Sequence, residues 1–302
     1  MNCLTLVSLT LLLTQAASEL VIQKDFPDPC VIVDGDTYHV YATYSDGINI
    51  QHATSTDLRN WTLQPDALPQ LGSWANPKTL LIWAPYVFRT GDHFTMYYTA
   101  THATRNWECI GVATGTDPYH FVDKSDKPLI CPEFLQGGVG AIDPYLFEEN
   151  GQRYIVFSMT VGVNNIFIQP VNEQGDAVTG EAVSVIHVDQ DWEGTVNEAP
   201  TLIRRQSKYV LFYSGNSTWD GWYCTGYATS DHIYGPYVKA APLLTNSFFN
   251  GTVIGPGGED VIRGTDGEYH IFYHGWDKPM KRRMLYVNRM TWDENDLPVV
   301  LV

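Results

Sequence analysis

Five segments of this chain repeat one pattern: DPCVIVDGDTYHVYAT, APYVFRTGDHFTMYYTA, DPYLFEENGQRYIVFS, APTLIRRQSKYVLFYSG and EDVIRGTDGEYHIFYHG. Aligned on the aromatic residue that opens the second half of each (Tyr38, Phe94, Tyr154, Tyr209, Tyr269), they recur at intervals of 56, 60, 55 and 60 residues. A fixed period of that size marks supersecondary units that stack on one another. Within each unit an apolar run, a turn and a second run of β-branched and aromatic residues read as a β-hairpin.

A weaker echo follows three of the hairpins: QHATSTDLRNW, GVATGTDPYHF and GYATSDHIYGPY each carry an Ala-Thr ending a third strand and an aromatic opening a fourth. Four short strands per repeat compose a propeller blade. The predicted fold is therefore all-β, a five-bladed β-propeller with four-stranded antiparallel blades around a central channel. Residues 19–302 are expected to form this as one catalytic domain, since all-β folds of this size commonly are one unit.

Residues 1–18 read as a signal peptide, with an apolar run from Leu4 to Leu13 and small residues at Ala16, Ala17 and Ser18. A secreted, extracellular protein is expected, and three N-glycosylation sequons (Asn60-Trp61-Thr62, Asn216-Ser217-Thr218, Asn250-Gly251-Thr252) accord with it. Four cysteines remain beyond the leader, allowing three pairings; Cys109 with Cys131 is favoured because both fall in the second repeat, leaving Cys30 and Cys224 as a pair or as buried thiols. A formal charge of −16 argues against nucleic acid and anionic membranes as partners, and a neutral substrate and a monomeric protein are expected.

Two units open with Asp-Pro (Asp28, Asp143), and a third carries Glu198 just before Ala199-Pro200. Alone, Asp-Pro is turn chemistry, but two other repeats have Ala84 and Ala199 there, so the turn does not require a carboxylate. Breaking a glycosidic bond needs one carboxylic acid to protonate the leaving oxygen and one carboxylate to activate water or attack the sugar. Acids crowded in one channel also push their pKa values apart. If the first strand of each blade lines the channel, the loops returning to its starting face hold seven of the nine tryptophans: Trp74, Trp83, Trp107, Trp192, Trp219, Trp222 and Trp276. An indole suits the C–H face of a sugar ring, so Trp74, Trp83, Trp107 and Trp219 are candidate substrate contacts.

The order and spacing of FPDPC, AIDPYLF, NEAPTL, GPGGED and FYHGW, with WAPYVF and RRMLYVNRMTWD, resemble glycoside hydrolase family 43 over essentially the whole chain. The resemblance implies an inverting hydrolase of arabinose- or xylose-containing plant polysaccharides, with Asp28 as general base, Asp143 as the acid that tunes and orients its partner, and Glu198 as general acid. It also implies a sugar contact for Arg283; His274, between Tyr273 and Gly275 at the end of a strand aimed at the active face, is expected to contact substrate as well. No cofactor is required on this reading. A structural Ca2+ in the channel is left open, because many arabinan-cleaving members carry a His where this chain has Gly258; Glu259 or His274 could stand in for it. An arabinofuranosidase or arabinan hydrolase is preferred over a β-xylosidase, which commonly carries a further β-sandwich. A retaining fructosidase and a catalytically inactive carbohydrate-binding propeller are the remaining alternatives.

Overall fold

The computed structural model describes residues 18–134 and 137–302; apart from Ser18, the expected leader lies outside the described residues. Strand β1 (Glu19–Ile22) comes first, and the five repeats then lay down five blades. Blade 1 is β2 (Cys30–Asp34), β3 (Thr37–Ala42), β4 (Gln51–Ser55) and β5 (Thr62–Gln64). Blade 2 is β6 (Ile82–Thr90), β7 (His93–Thr101) and β8 (Glu108–Gly115), its fourth strand reduced to two isolated bridges, Thr114 to Val122 and Ile110 to Ile130. Blade 3 is β9 (Gly138–Glu149), β10 (Gln152–Val161), β11 (Val163–Val171) and β12 (Val183–Ile186). Blade 4 is β13 (Asn197–Arg205), β14 (Lys208–Gly215), β15 (Cys224–Ser230) and β16 (Val238–Lys239).

Blade 5, β17 (Ile254–Arg263), β18 (Tyr269–Trp276) and β19 (Arg283–Trp292), is finished from both ends of the chain. β1 and β20 (Pro298–Val300) both pair antiparallel with β19, so the N-terminal strand closes the ring. The repeat pattern did not announce this, because β1 precedes the first unit. Within blades the strands pair antiparallel in sequence order, and a single parallel bridge, Glu108 to Gly140, ties blade 2 to blade 3.

The apolar core is divided into five clusters, each lying between two neighbouring blades. Tyr41 and Leu68 of blade 1 pack with Met96 and Tyr98 of blade 2, and Val40 of blade 1 packs with Phe272 and Leu285 of blade 5. The second strand of each blade is thus covered on both faces, which is why FTMYY, YVLFY and YHIFY are almost unbroken apolar runs rather than alternating ones.

Each inner strand has a kink at the same place. Asp28, Ala84, Asp143, Ala199 and Gly258 all adopt positive φ (55°, 41°, 53°, 52° and 60°), and in four of them proline follows. Only Gly takes this conformation freely, and a residue before proline ordinarily prefers extended backbone, so the four non-glycine kinks each store strain of about 1–3 kcal/mol. In blades 2 to 5 the ladder bulges there, and in blade 1 the kink stands just before β2; the kinked residues of all five blades line the channel.

Candidate active site

The amide N–H of each kinked residue would be an orphan in the bulge, and each finds an acceptor on a neighbouring blade. Ala84 N donates to Thr43 Oγ1 (2.9 Å), Asp143 N to Thr99 Oγ1 (3.3 Å), Gly258 N to Ser214 Oγ (2.9 Å) and Asp28 N to His274 Nδ1 (3.3 Å). These acceptors stand five residues after the repeat aromatics, so they form a ring of their own. In blade 3 that place is Met159, which has no suitable acceptor, and Ala199 N instead donates to Asp143 Oδ2 (3.0 Å). The Asp143 carboxyl thereby grips the backbone directly after Glu198.

Around this ring opens a pocket of about 340 Å³ lined by Asp28, Asp143, Glu198, Trp83, Trp219 and Arg283, among others. The three acids thus converge, although Glu198 sits one residue before its kink while Asp28 and Asp143 sit on theirs. Asp28 Oδ2 accepts from Thr43 Oγ1 at 2.6 Å, and Oδ1 lies 3.2 Å from His274 Nδ1 and 3.6 Å from Arg283 Nη1. Burial opposes ionisation of Asp28, but the Arg283 guanidinium, His274 and Thr43 together outweigh it and hold the carboxyl well below the usual carboxylate range. Glu198 has no cation so close; Tyr223 OH donates to Oε1 (2.9 Å) and Asn164 Nδ2 to Oε2 (3.3 Å). Burial, reinforced by the charge of Asp28, raises its pKa. Asp143 is also raised, by burial and then by the charges of Glu198 and Asp28. Asp28 is thus favoured in its ionised form, while Glu198 and Asp143 are both shifted toward the protonated form in the same pocket.

His274, expected to touch the sugar, is instead fully buried beneath Asp28, stacked on Tyr223 with ring centroids 5.5 Å apart. Its Nδ1 faces both the amide and the carboxylate of Asp28; burial lowers its pKa, and the Asp28 carboxylate opposes that shift. Arg283 does line the pocket, its guanidinium carbon 5.4 Å from the Trp219 ring centroid. Trp83 and the 70 % exposed Trp219 line it too. Trp74 and Trp107 depart from expectation. Trp74 is buried in the blade 2 core with its Nε1 donating to Asp123 Oδ2 at 3.0 Å, and Trp107 packs half-buried on that core beneath Arg105. Both rings are drawn inward by apolar burial, and Gly111 leaves the space: a Cβ there would come within 2.5 Å of the Trp74 ring.

Tyr223, Asn164 and Thr43 were not foreseen as site residues, whereas Glu108 was expected on the active face but not among the catalytic acids. For Thr43 a signal existed, since the residue five after each repeat aromatic reads Thr, Thr, Met, Ser, His. Tyr223, Asn164 and Glu108 come from outside the repeated hairpins, where the alignment of repeats says nothing.

Beneath the pocket the channel narrows to about 40 Å³, walled by three residues from each blade. Glu259 and Asp260 face it. Glu259 Oε2 accepts from Ser214 Oγ (2.7 Å) and Thr225 Oγ1 (2.9 Å), while its Oε1 has no partner; Asp260 Oδ2 accepts from Val31 N (2.7 Å). Among the described residues no three His, Cys, Asp or Glu side chains are grouped to hold a metal. This donor set does not fit a side-chain cage for Ca2+, which takes six to eight oxygens. The disulfide Cys109–Cys131 is formed, and Cys30 and Cys224 are buried thiols.

A propeller whose kinked inner strands bring three carboxyls, one with its pKa lowered and two with theirs raised, into a sugar-sized pocket beside exposed indole belongs to the glycosidase class. The family model for glycosyl hydrolases family 43 matches residues 18–298, and the chain belongs to that family. It is 25 % identical over 284 residues to the extracellular endo-α-(1→5)-L-arabinanase 1 of Bacillus subtilis, covering 88 % of this chain and 84 % of the relative. A thermostable family-43 glycoside hydrolase superposes with a TM-score of 0.82 at 25 % identity, over 94 % of this chain and 95 % of the other. A structure titled endo-1,4-β-xylanase from Bacteroides thetaiotaomicron superposes with a TM-score of 0.80 at 26 % identity, over 94 % and 96 %.

Proposed function

We propose that this glycoside hydrolase cleaves α-L-arabinofuranosyl linkages of arabinan-type polysaccharides by one displacement with inversion. Water enters between Asp28 and the anomeric carbon; ionised Asp28 takes its proton as the new C–O bond forms, while protonated Glu198 gives its proton to the departing oxygen. Asp143 holds the backbone beside Glu198 by accepting from Ala199 N, and the charge of Asp28 adds to burial in raising the Glu198 pKa. Arg283 and Trp219 bind the sugar, Arg283 also holding Asp28 ionised. The observation that carries this reading is the asymmetry between the two acids: Asp28 has Arg283, Thr43 and His274 around it, and Glu198 has only neutral donors.

Arabinan is the preferred substrate because of the likeness to an arabinanase; likeness to a structure titled as a xylanase favours xylan as the second reading. Secretion is supported by the leader-like residues, by the relative named as extracellular and by the disulfide, since disulfides persist in oxidising compartments. No helix among the described residues is long and apolar enough to cross a membrane.

The test is to incubate the protein with arabinan, arabinoxylan and β-xylo-oligosaccharides and follow the first product by proton NMR before mutarotation. Arabinose or arabino-oligosaccharides of inverted configuration are expected. Retained configuration would make Asp28 a nucleophile, xylose products would move the assignment to xylan, and no product from any of them would favour a binding propeller.

A further inference from the structure

One carboxylate in the pocket has no part in the chemistry above. Glu108 opens β8, next to the Cys109–Cys131 disulfide, and lines the pocket with the three acids. Its backbone makes the parallel bridge to Gly140 on blade 3, and a Cβ added to Gly140 would stand 3.3 Å from Glu108 Oε2. Glycine at 140 therefore leaves the carboxylate room to lie over the wall of blade 3.

That wall has no donor to give it. Thr160 Oγ1 donates to Asn164 Oδ1 (2.6 Å), and Asn164 Nδ2 donates onward to Glu198. Arg283, the one cationic side chain among the described lining residues, is committed to Asp28. Among the described residues no side chain hydrogen-bonds or ion-pairs with the Glu108 carboxyl, and its half-burial raises its pKa. A carboxylate partly stripped of water gains most from a ligand that brings hydroxyl donors, and loses from one that brings another negative charge.

We infer that Glu108 is a specificity residue whose carboxylate binds hydroxyl groups of a neutral sugar unit in the pocket and disfavours uronate-bearing chains. The inference rests on the glycosidase reading of the pocket. It separates Glu108, whose carboxyl has only its own backbone amide as a partner, from the three acids, each of which is held by other residues.

The test compares Glu108→Gln with the parent on neutral arabino-oligosaccharides and on glucuronate-substituted xylo-oligosaccharides, and measures arabinotriose binding by calorimetry in Glu198→Gln with and without Glu108→Gln. Losing a hydrogen bond to a charged group is expected to raise KM and the arabinotriose Kd by about 10-fold or more. The kcat should change little, and the pH profile and Tm should hold. Gly140→Ala should raise KM in the same sense by displacing the carboxylate, and the penalty against the uronate-bearing chains should shrink in Glu108→Gln. An unchanged Kd and KM in Glu108→Gln overturns the inference even if turnover stands. Loss of kcat together with the alkaline limb of the pH profile overturns it in favour of acid catalysis. If the parent turns nothing over but the Kd still shifts, the hydrolase reading fails and the Glu108 assignment survives; no binding of any neutral oligosaccharide overturns both.

Discussion

Gly258 and His274 occupy one space: a Cβ on Gly258 would stand 2.7 Å from Nδ1 of His274 and 2.9 Å from Asp28 Oδ1. The imidazole under the proposed base can therefore keep its place only while position 258 has no side chain. Gly258 also has φ of 60°, a conformation that charges any other residue conformational strain. Gly258→Ala should lower kcat/KM by about 10-fold or more and cost roughly 1–3 kcal/mol of stability. Denaturant melts and steady-state kinetics of Gly258→Ala, His274→Ala and the double variant check this. The two changes should be strongly non-additive in stability, because removing the ring removes the clash; additive losses would mean that the two sites do not share the space.

The pH profile follows from the asymmetry of the acids. Glu198 must be protonated to donate, and burial pushes its pKa up to about 7, so kcat/KM should fall as pH rises through about 7. Asp28 must be ionised, and it stays so far into acid, so it should set no limb near neutrality. Tyr223→Phe removes a hydrogen bond that favours the Glu198 carboxylate and should move the alkaline limb to higher pH. On an aryl arabinoside with a good leaving group, Glu198→Gln should keep measurable activity and lose that limb. A limb that stays in place in both variants would assign it to another group.

The five hairpins, the channel and the positions of Asp28, Asp143 and Glu198 were legible because a repeat carries its geometry with it: an equivalent place in the sequence is an equivalent place on the ring. The same logic overreached with the tryptophans. A loop assigned to one face says where its backbone runs, not whether an indole turns outward, and Trp74 turned inward over Gly111 because burying it excludes more water than exposing it. Blade closure by β1 was not legible, since Glu19–Ile22 resembles no repeat and its partner on β19 is fixed only once the ring forms. His274 was found as a residue of interest, but its place under Asp28 depends on Gly258, two residues that meet only across blades.

Glu259 makes stability fall with rising pH. Burial raises its pKa to about 8, above an unfolded value near 4.5, so between those values the native state holds a proton that the unfolded chain has released. Its contribution is then fully present below about pH 4.5 and lost as pH rises through about 8, at roughly 1.4 kcal/mol per pH unit within that window. Asp260, raised to about 7 by burial, acts in the same sense, whereas Asp28 acts in the opposite sense only in strong acid. Urea melts from pH 5 to 8.5 should show declining stability, with a shallower decline in Glu259→Gln. Equal slopes in the two proteins would show that the carboxyl is ionised throughout.

The sequons are not equivalent in the fold. Asn60 and Asn250 are exposed, but Asn216, Ser217 and Thr218 all line the pocket, and Thr218 Oγ1 lies 3.4 Å from His274 Nε2. N-glycans are attached where the nascent chain presents Asn-X-Ser/Thr, so the half-burial of this tripeptide in the finished fold does not by itself protect it. A glycan on Asn216 would project into the space that the substrate needs. Protein made in a host that N-glycosylates secreted chains should therefore separate, by glycopeptide mapping and lectin chromatography, into an active pool modified at Asn60 or Asn250 only and an inactive pool modified at Asn216. Protein from a bacterial host should match the active pool in kcat. Full turnover of arabinan by a pool wholly modified at Asn216 would show that Asn216 points away from the path of the sugar.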